Sequence, residues 1–254
     1  MSENQIIQYN GAEDFADVRQ QDIITPYLRL QQFTSPGVQE GKFTAGDYII
    51  SGEDKVAIKR GEAGWILPIM WWLQWIEWHP DRNAPKDKRM LGKSFDPQSS
   101  LAARAGRFDK VIGADGKEKI AVTEYYNFIV LLPELTGNFD EMFVFGFSKS
   151  SHKVGKQWIN RLRKIRLGEA IAPIWSNLWS LGSTLEKNAN NEKYMVPSIG
   201  AVRPVDKAWF PHLNDISTAA KQRKSEFADR AANAEAGGEH EKEATATVHT
   251  QSEI

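Results

Sequence analysis

Residues Gly64 to Trp78 read GWILPIMWWLQWIEW and carry five of the chain's nine tryptophans. Apolar side chains occupy odd positions (65, 67, 69, 71, 73, 75) and even ones (66, 70, 72, 76, 78) alike. That pattern fits neither a one-sided amphipathic strand nor a helical stripe. It reads as a strand that is buried on both faces, or one that keeps an aromatic face for a ligand. Large aromatics usually end in cores, but burying all five tryptophans needs cover on both sides of the sheet, and tryptophan is seldom buried completely. Trp71, Trp75 and Trp78 are therefore expected to line a groove.

Hairpins flank this strand. TPYLRLQQF (Thr25 to Phe33) reads as an opening strand, followed by a Pro36-Gly37 turn and by GKFTAGDYIISG (Gly41 to Gly52), a strand between glycines. Residues 79 to 107 are rich in turn residues and basic groups and read as loop. Asp115-Gly116 predicts a tight hairpin. EYYNFIVLL and EMFVFGF flank a Thr136-Gly137-Asn138 turn, and IWSNLWSLGSTLEK and KYMVPSIGAV flank Asn188 to Asn191, giving two more. Trp175, Trp179 and Leu181 are expected to share a face. Asp215 to Ala236 looks helical.

Between the last two hairpins, KSSHKVGKQWINRLRKIR (Lys149 to Arg166) changes period from two to 3.6. At 100° per residue Val154, Trp158, Leu162 and Ile165 form an apolar stripe, and Lys149, Lys153, Lys156, Arg163 and Lys164 form the opposite one. Ser150 or Ser151 can cap its start and Gly168 can end it. The stretch has seven Lys or Arg and no acidic residue. Solvated helices usually mix signs, because acid–base pairs one turn apart stabilise them; a helix of one sign suits a polyanion. Arg82, Arg104 and Arg107 in the 79 to 107 segment are further candidates for phosphate, diluted by Asp81, Asp87 and Asp96.

The expected architecture is mainly β with one or two helices: an OB-like β-barrel, with a β-sandwich as the alternative. An acidic arm (1–22), a nucleic-acid-binding body (23–212), a C-terminal helix (213–236) and a disordered acidic tail (237–254) divide the chain. The two ends carry −4 each, so a net charge of −1 leaves +7 for residues 23 to 232. The apolar runs are too short to span a bilayer, the N-terminus lacks the pattern of a signal peptide, and cysteine is absent. A cytoplasmic protein with no membrane partner is expected. Phosphate-binding loops, dinucleotide fingerprints, zinc-protease and nucleophile-elbow motifs are missing, and the five histidines have no metal-ligand spacing. Binding without catalysis, metal or cofactor is therefore expected.

The order of these elements resembles a diffuse group of bacteriophage single-stranded-DNA-binding proteins of OB-like fold. TPYLRLQQFTSPGVQEGKFTAGDYIISG, the strand leading to WIEWHPDRNAP, FSKSSHKVGKQW and the hairpin ending NANNEKYMVPSIG carry the resemblance over about residues 25 to 210. It implies sequence-tolerant binding of single-stranded DNA in replication or recombination, in the host cytoplasm if phage-encoded, with Lys153, Lys156 and Trp158 in the matching helix. It also implies a tail that occupies the DNA groove or recruits phage or host replication and recombination proteins. This tail departs from that pattern, holding a lysine and two histidines and ending Ser-Glu-Ile. The competing expectation is a virion structural or assembly protein whose aromatics mediate self-association. A binder of duplex ends or RNA is the more distant one.

Overall fold

The computed structural model describes residues 25–237 apart from 54, 82, 83, 86, 87, 114 and 115. The acidic arm, the tail beyond 237 and Arg82 lie outside the described residues. In chain order the elements are β1 (Leu28–Leu30), α1 (Pro36–Gln39), β2 (Tyr48–Ile50), β3 (Lys55–Ile58), β4 (Gly64–Trp78), β5 (Met90–Ser94), α2 (Ser100–Gly106), β6 (Lys110–Ile112), β7 (Glu118–Ile120) and β8 (Val122–Leu131). There follow α3 (Pro133–Thr136), β9 (Met142–Phe147), α4 (His152–Leu162), β10 (Arg166–Leu167), β11 (Ala170–Ile171), β12 (Asn177–Lys187), β13 (Lys193–Pro204), α5 (Phe210–Gln222) and α6 (Lys224–Gly237).

The Trp-rich segment is the central strand of a six-stranded antiparallel sheet ordered β13-β12-β4-β8-β9, with β5 on the far end of β4. A bulge between Pro68 and Met70 shifts its register against β8. Proline cannot donate to a ladder and is tolerated in a central strand at such an irregularity. The bulge also explains why parity alone does not assign faces. Leu67, Met70, Trp72, Gln74 and Ile76 lie on one face, and Trp71, Leu73 and Trp75, opposite Phe128, Tyr126 and Glu124, lie on the other.

Both faces are covered along most of the strand, which is why it needs no polar side. Behind the sheet, Leu213, Ala220, Phe227, Ala228 and Ala231 of α5 and α6 pack with Leu67, Met70, Trp72, Ile129 and Leu131. Burying a ring such as Phe227 contributes about 1.5–3 kcal/mol. A buried polar pair fixes the seat of α6: Asn127 donates to Gln74 at 3.1 Å, and Gln74 donates to the Ala228 carbonyl at 3.2 Å. The C-terminal helices therefore share a core with the sheet. In front, Leu28, Tyr48, Ile50 and Ile58 of the β1-β2-β3 sheet share a core with Phe128, Phe145, Phe147, Trp158, Trp179 and Leu181. The Tyr48 hydroxyl, its pKa raised by burial, donates to the Gly182 carbonyl at 2.8 Å and ties the two sheets together.

The mainly β expectation holds, with corrections. No sheet among the described residues closes into a barrel; the step from β9 to β1 is a single parallel bridge, Tyr27 to Val144. Six α-helices among the described residues replace the one or two expected, although α1 and α3 are single turns. The 79 to 107 segment is not all loop, since it contains β5 and α2, the latter capped by Ser99, whose hydroxyl accepts from the Ala102 N–H at 3.2 Å. Strand pairing of β6 with β7 and of β12 with β13 matches the expected hairpins. Trp175 does not share a face with Trp179 and Leu181. It precedes β12 in a short 3-10 turn and packs in the rear core, edge-on to Phe210.

Candidate nucleic-acid interface

A 3-10 turn over Lys149–Ser151 leads into α4. The Ser151 hydroxyl accepts from the Ser148 N–H and donates to the Ser148 carbonyl, each at 2.9 Å, so the turn is closed by Ser148 and Ser151 together. The helix stops at Leu162, earlier than the sequence suggested. Gly168, at φ +64, turns the β10–β11 hairpin instead of ending the helix. Trp158 and Leu162 are buried and Val154 and Ile165 pack partly against the same core, as the 3.6 period requires. Trp158 stacks on Phe128 with ring centroids 4.3 Å apart. Gly155 permits this close seat, because a Cβ there would meet the Phe147 Cβ at 2.8 Å.

Lys149, Lys153, Lys156, Arg163 and Lys164 are all exposed, and none forms an ion pair with another described residue. Arg161 is different. Its guanidinium donates to the Ile199 and Gly200 carbonyls and lies 4.6 Å from the centroid of the Trp179 ring. It pins α4 to β13, whereas the five cations named above are left to the solvent.

Trp71 is 37% exposed, the most open of the five tryptophans on β4. The reason is local. β12 pairs with β4 only over Gly64 to Ile66, and β5 only over Trp75 to Trp78, so between them β4 has a ladder on one side alone. Trp71 is the register partner of Phe128, on which Trp158 of α4 stacks. Register partners point to the same face. The exposed indole and the basic helix therefore share one face of the sheet.

The other expected platform residues fare differently. Trp75 is 3% exposed beneath Ala105 of α2 and donates through Nε1 to Glu124 at 2.8 Å; it is core, with no face open to a base. Trp78 is half-buried, donating to the Tyr125 hydroxyl at 3.1 Å and packed edge-on against that ring. Arg104 is engaged by Glu77 at 2.7 Å and Asp109 at 3.3 Å, so its charge is already answered. Arg107 remains largely exposed, at 3.5 Å from Asp109. The hydrogen bond that Arg104 donates to Glu77 raises the Arg104 pKa.

A cluster absent from the sequence reading joins the two halves of this face. Glu124 accepts from Trp75 at 2.8 Å and from Nε2 of His152, the first residue of α4, at 2.7 Å. The His152 hydrogen bond, ahead of those from Trp75 and Tyr126, holds the Glu124 carboxyl below its usual value. Burial, aided by the Glu124 charge, pushes the Tyr126 hydroxyl up to about 12. Leu73 packs against both the α4 core and the smaller core under α2. Only the register of β4 on β8 brings these residues together, and their spacing in sequence gives no sign of it. Among the described residues no group of three or more His, Asp or Glu is placed to hold a metal ion.

Residues 3–226 match the family described as Pam3 phage gp34-like protein. The chain belongs to that family. No curated protein and no solved structure matches it. The gp34-like match indicates a phage protein and covers the three- and six-stranded sheets, α4 and α5, ending within α6 at Glu226. Among the described residues of this gp34-like chain no helix is long and apolar enough to cross a membrane.

Proposed function

We propose that the protein binds single-stranded DNA without sequence preference, in phage DNA replication or recombination in the host cytoplasm. One observation carries the reading: an exposed tryptophan and an acid-free basic helix lie on the same face of the sheet. Unpaired bases need a flat π-surface, and their phosphates need cations alongside. Lys149, Lys153, Lys156, Arg163 and Lys164 would neutralise phosphates while Trp71 stacks a base. The small sheet packed on the large one about a shared core, with α4 beside it, supports the β-sandwich alternative for the body over an OB-like barrel.

The test is a titration of tryptophan emission and of gel mobility with an oligonucleotide and with its duplex. Single strands should quench emission and shift the protein; duplex should do so weakly. With about four to six phosphate contacts, log K should fall against log salt with a slope near −3 to −4, at roughly −0.7 per phosphate. A salt-independent affinity would remove the electrostatic half of the reading. Exposed Leu91, Ile112, Ile120, Leu167 and Ile171 favour a second reading, a virion structural or assembly protein that uses apolar outer strands. That protein would associate with rising concentration and respond to neither nucleic acid.

A further inference from the structure

Helix α2 ends in a way that its sequence does not favour. The Asp109 N–H donates to the Arg104 carbonyl and the Phe108 N–H to the Ala105 carbonyl, each at 3.1 Å, with Arg107 as the capping residue. This is the Schellman arrangement, whose left-handed position is normally glycine. Here it is held by Phe108 at φ +54. A phenylalanine in that region crowds its Cβ against the following carbonyl. Burial of the ring could offset the cost, but Phe108 is 69% exposed and has no ring partner among the described residues. The strain thus displays an aromatic ring and serves no core.

The ring's position suggests what it is displayed to. Ala105 covers Trp75, which lies on the same face of β4 as Trp71, four residues and about 13 Å along the strand. Phe108 follows Ala105 at the end of α2, on the rim of the face that also bears α4. Arg107 beside it is 67% exposed in its side chain. Nearby, Glu77 and Asp109 hold Arg104 and Glu118 holds Lys110, whereas Arg107 reaches Asp109 only at 3.5 Å and stays largely exposed. We propose that Phe108 is a second stacking point for an unpaired base, with Arg107 at the adjoining phosphate, so that a bound strand runs from the α4–Trp71 region to the end of α2. This inference rests on the single-strand reading above and gives it a direction.

Phe108→Gly separates display from support, because glycine relieves the backbone and removes only the ring. The experiment measures melting temperature and affinity for thymidine oligomers across the roughly 4–16 nucleotide range of such sites. Melting should stay level or rise. Affinity for the longest oligomers should fall about 5- to 150-fold, the range for one lost stack, while the shortest oligomers, held by α4 and Trp71, should bind nearly unchanged. Phe108→Trp should retain the affinity. Wild-type binding with an undiminished Phe108→Gly affinity at every length would overturn the inference and leave the single-strand reading standing. A melting temperature several degrees lower would overturn it too, as would loss of concentration-dependent self-association without loss of DNA binding. A wild-type protein that binds no oligomer would overturn both readings together.

Discussion

Replacing Lys153, Lys156 and Arg163 together by alanine separates what α4 contributes to the fold from what it presents to a ligand. All three side chains are exposed and lie opposite the buried Trp158 and Leu162. Alanine has the highest helix propensity, and Lys153, at the positive end of the helix dipole, is unfavourably placed there. Arg163, at the negative end, loses an interaction of about 0.3–1 kcal/mol. These effects oppose one another, so stability should change by less than about 1 kcal/mol. Binding should change far more. Three lost phosphate contacts at roughly 0.7 each remove about 2 from the slope of log K against log salt, or roughly a hundredfold in affinity near 0.1 M salt. Anisotropy of a labelled oligonucleotide across a salt series, paired with thermal melting, reads both quantities. An unchanged slope would refute the assignment of these residues to phosphate. An equal loss toward duplex would reduce the helix to a general anion patch.

Trp158→Ala should do the converse, costing about 3–5 kcal/mol as a cavity opens beneath α4; for a fold of this size that is a fall of roughly 6–20 °C in melting temperature, and a loss under about 1 kcal/mol in denaturant titration would mean that the stripe is not core. Trp71→Ala should leave a folded protein with reduced oligonucleotide quenching and an affinity lower by about 1–3 kcal/mol, and unchanged quenching would move the stacking surface elsewhere. Glu124 has a depressed carboxyl pKa, so its contribution to stability is present above its unfolded value of 4.5 and is lost as pH falls through the lower folded value. Acid melting of wild type should therefore steepen below about pH 4.5, and Glu124→Gln should flatten that part of the curve; identical acid limbs would argue against the His152–Glu124 contact.

Elements whose signals are local were legible in the amino-acid chain alone. Two-sided apolarity marked β4, the Asn188–Asn191 turn marked the β12–β13 hairpin, and the 3.6 period placed Trp158 inward and the lysines outward on α4. Each depends on neighbours a few residues apart. Sequence missed α2 and β5, where turn-forming residues outweighed short-range patterns, and it set the end of α4 at a glycine that serves the next hairpin. Which tryptophan stays open was decided only in three dimensions. Trp71 and Trp75 have the same residue type, strand and face, yet α2 and Glu124 close over Trp75, while the gap between the β12 and β5 ladders leaves Trp71 uncovered. Barrel closure was decided there as well, because it depends on whether β1 and β9 extend their pairing, and here they meet at one bridge. Alternation along a strand says which side chains share a face; which elements come to lie over that face is set by contacts between residues far apart in the chain.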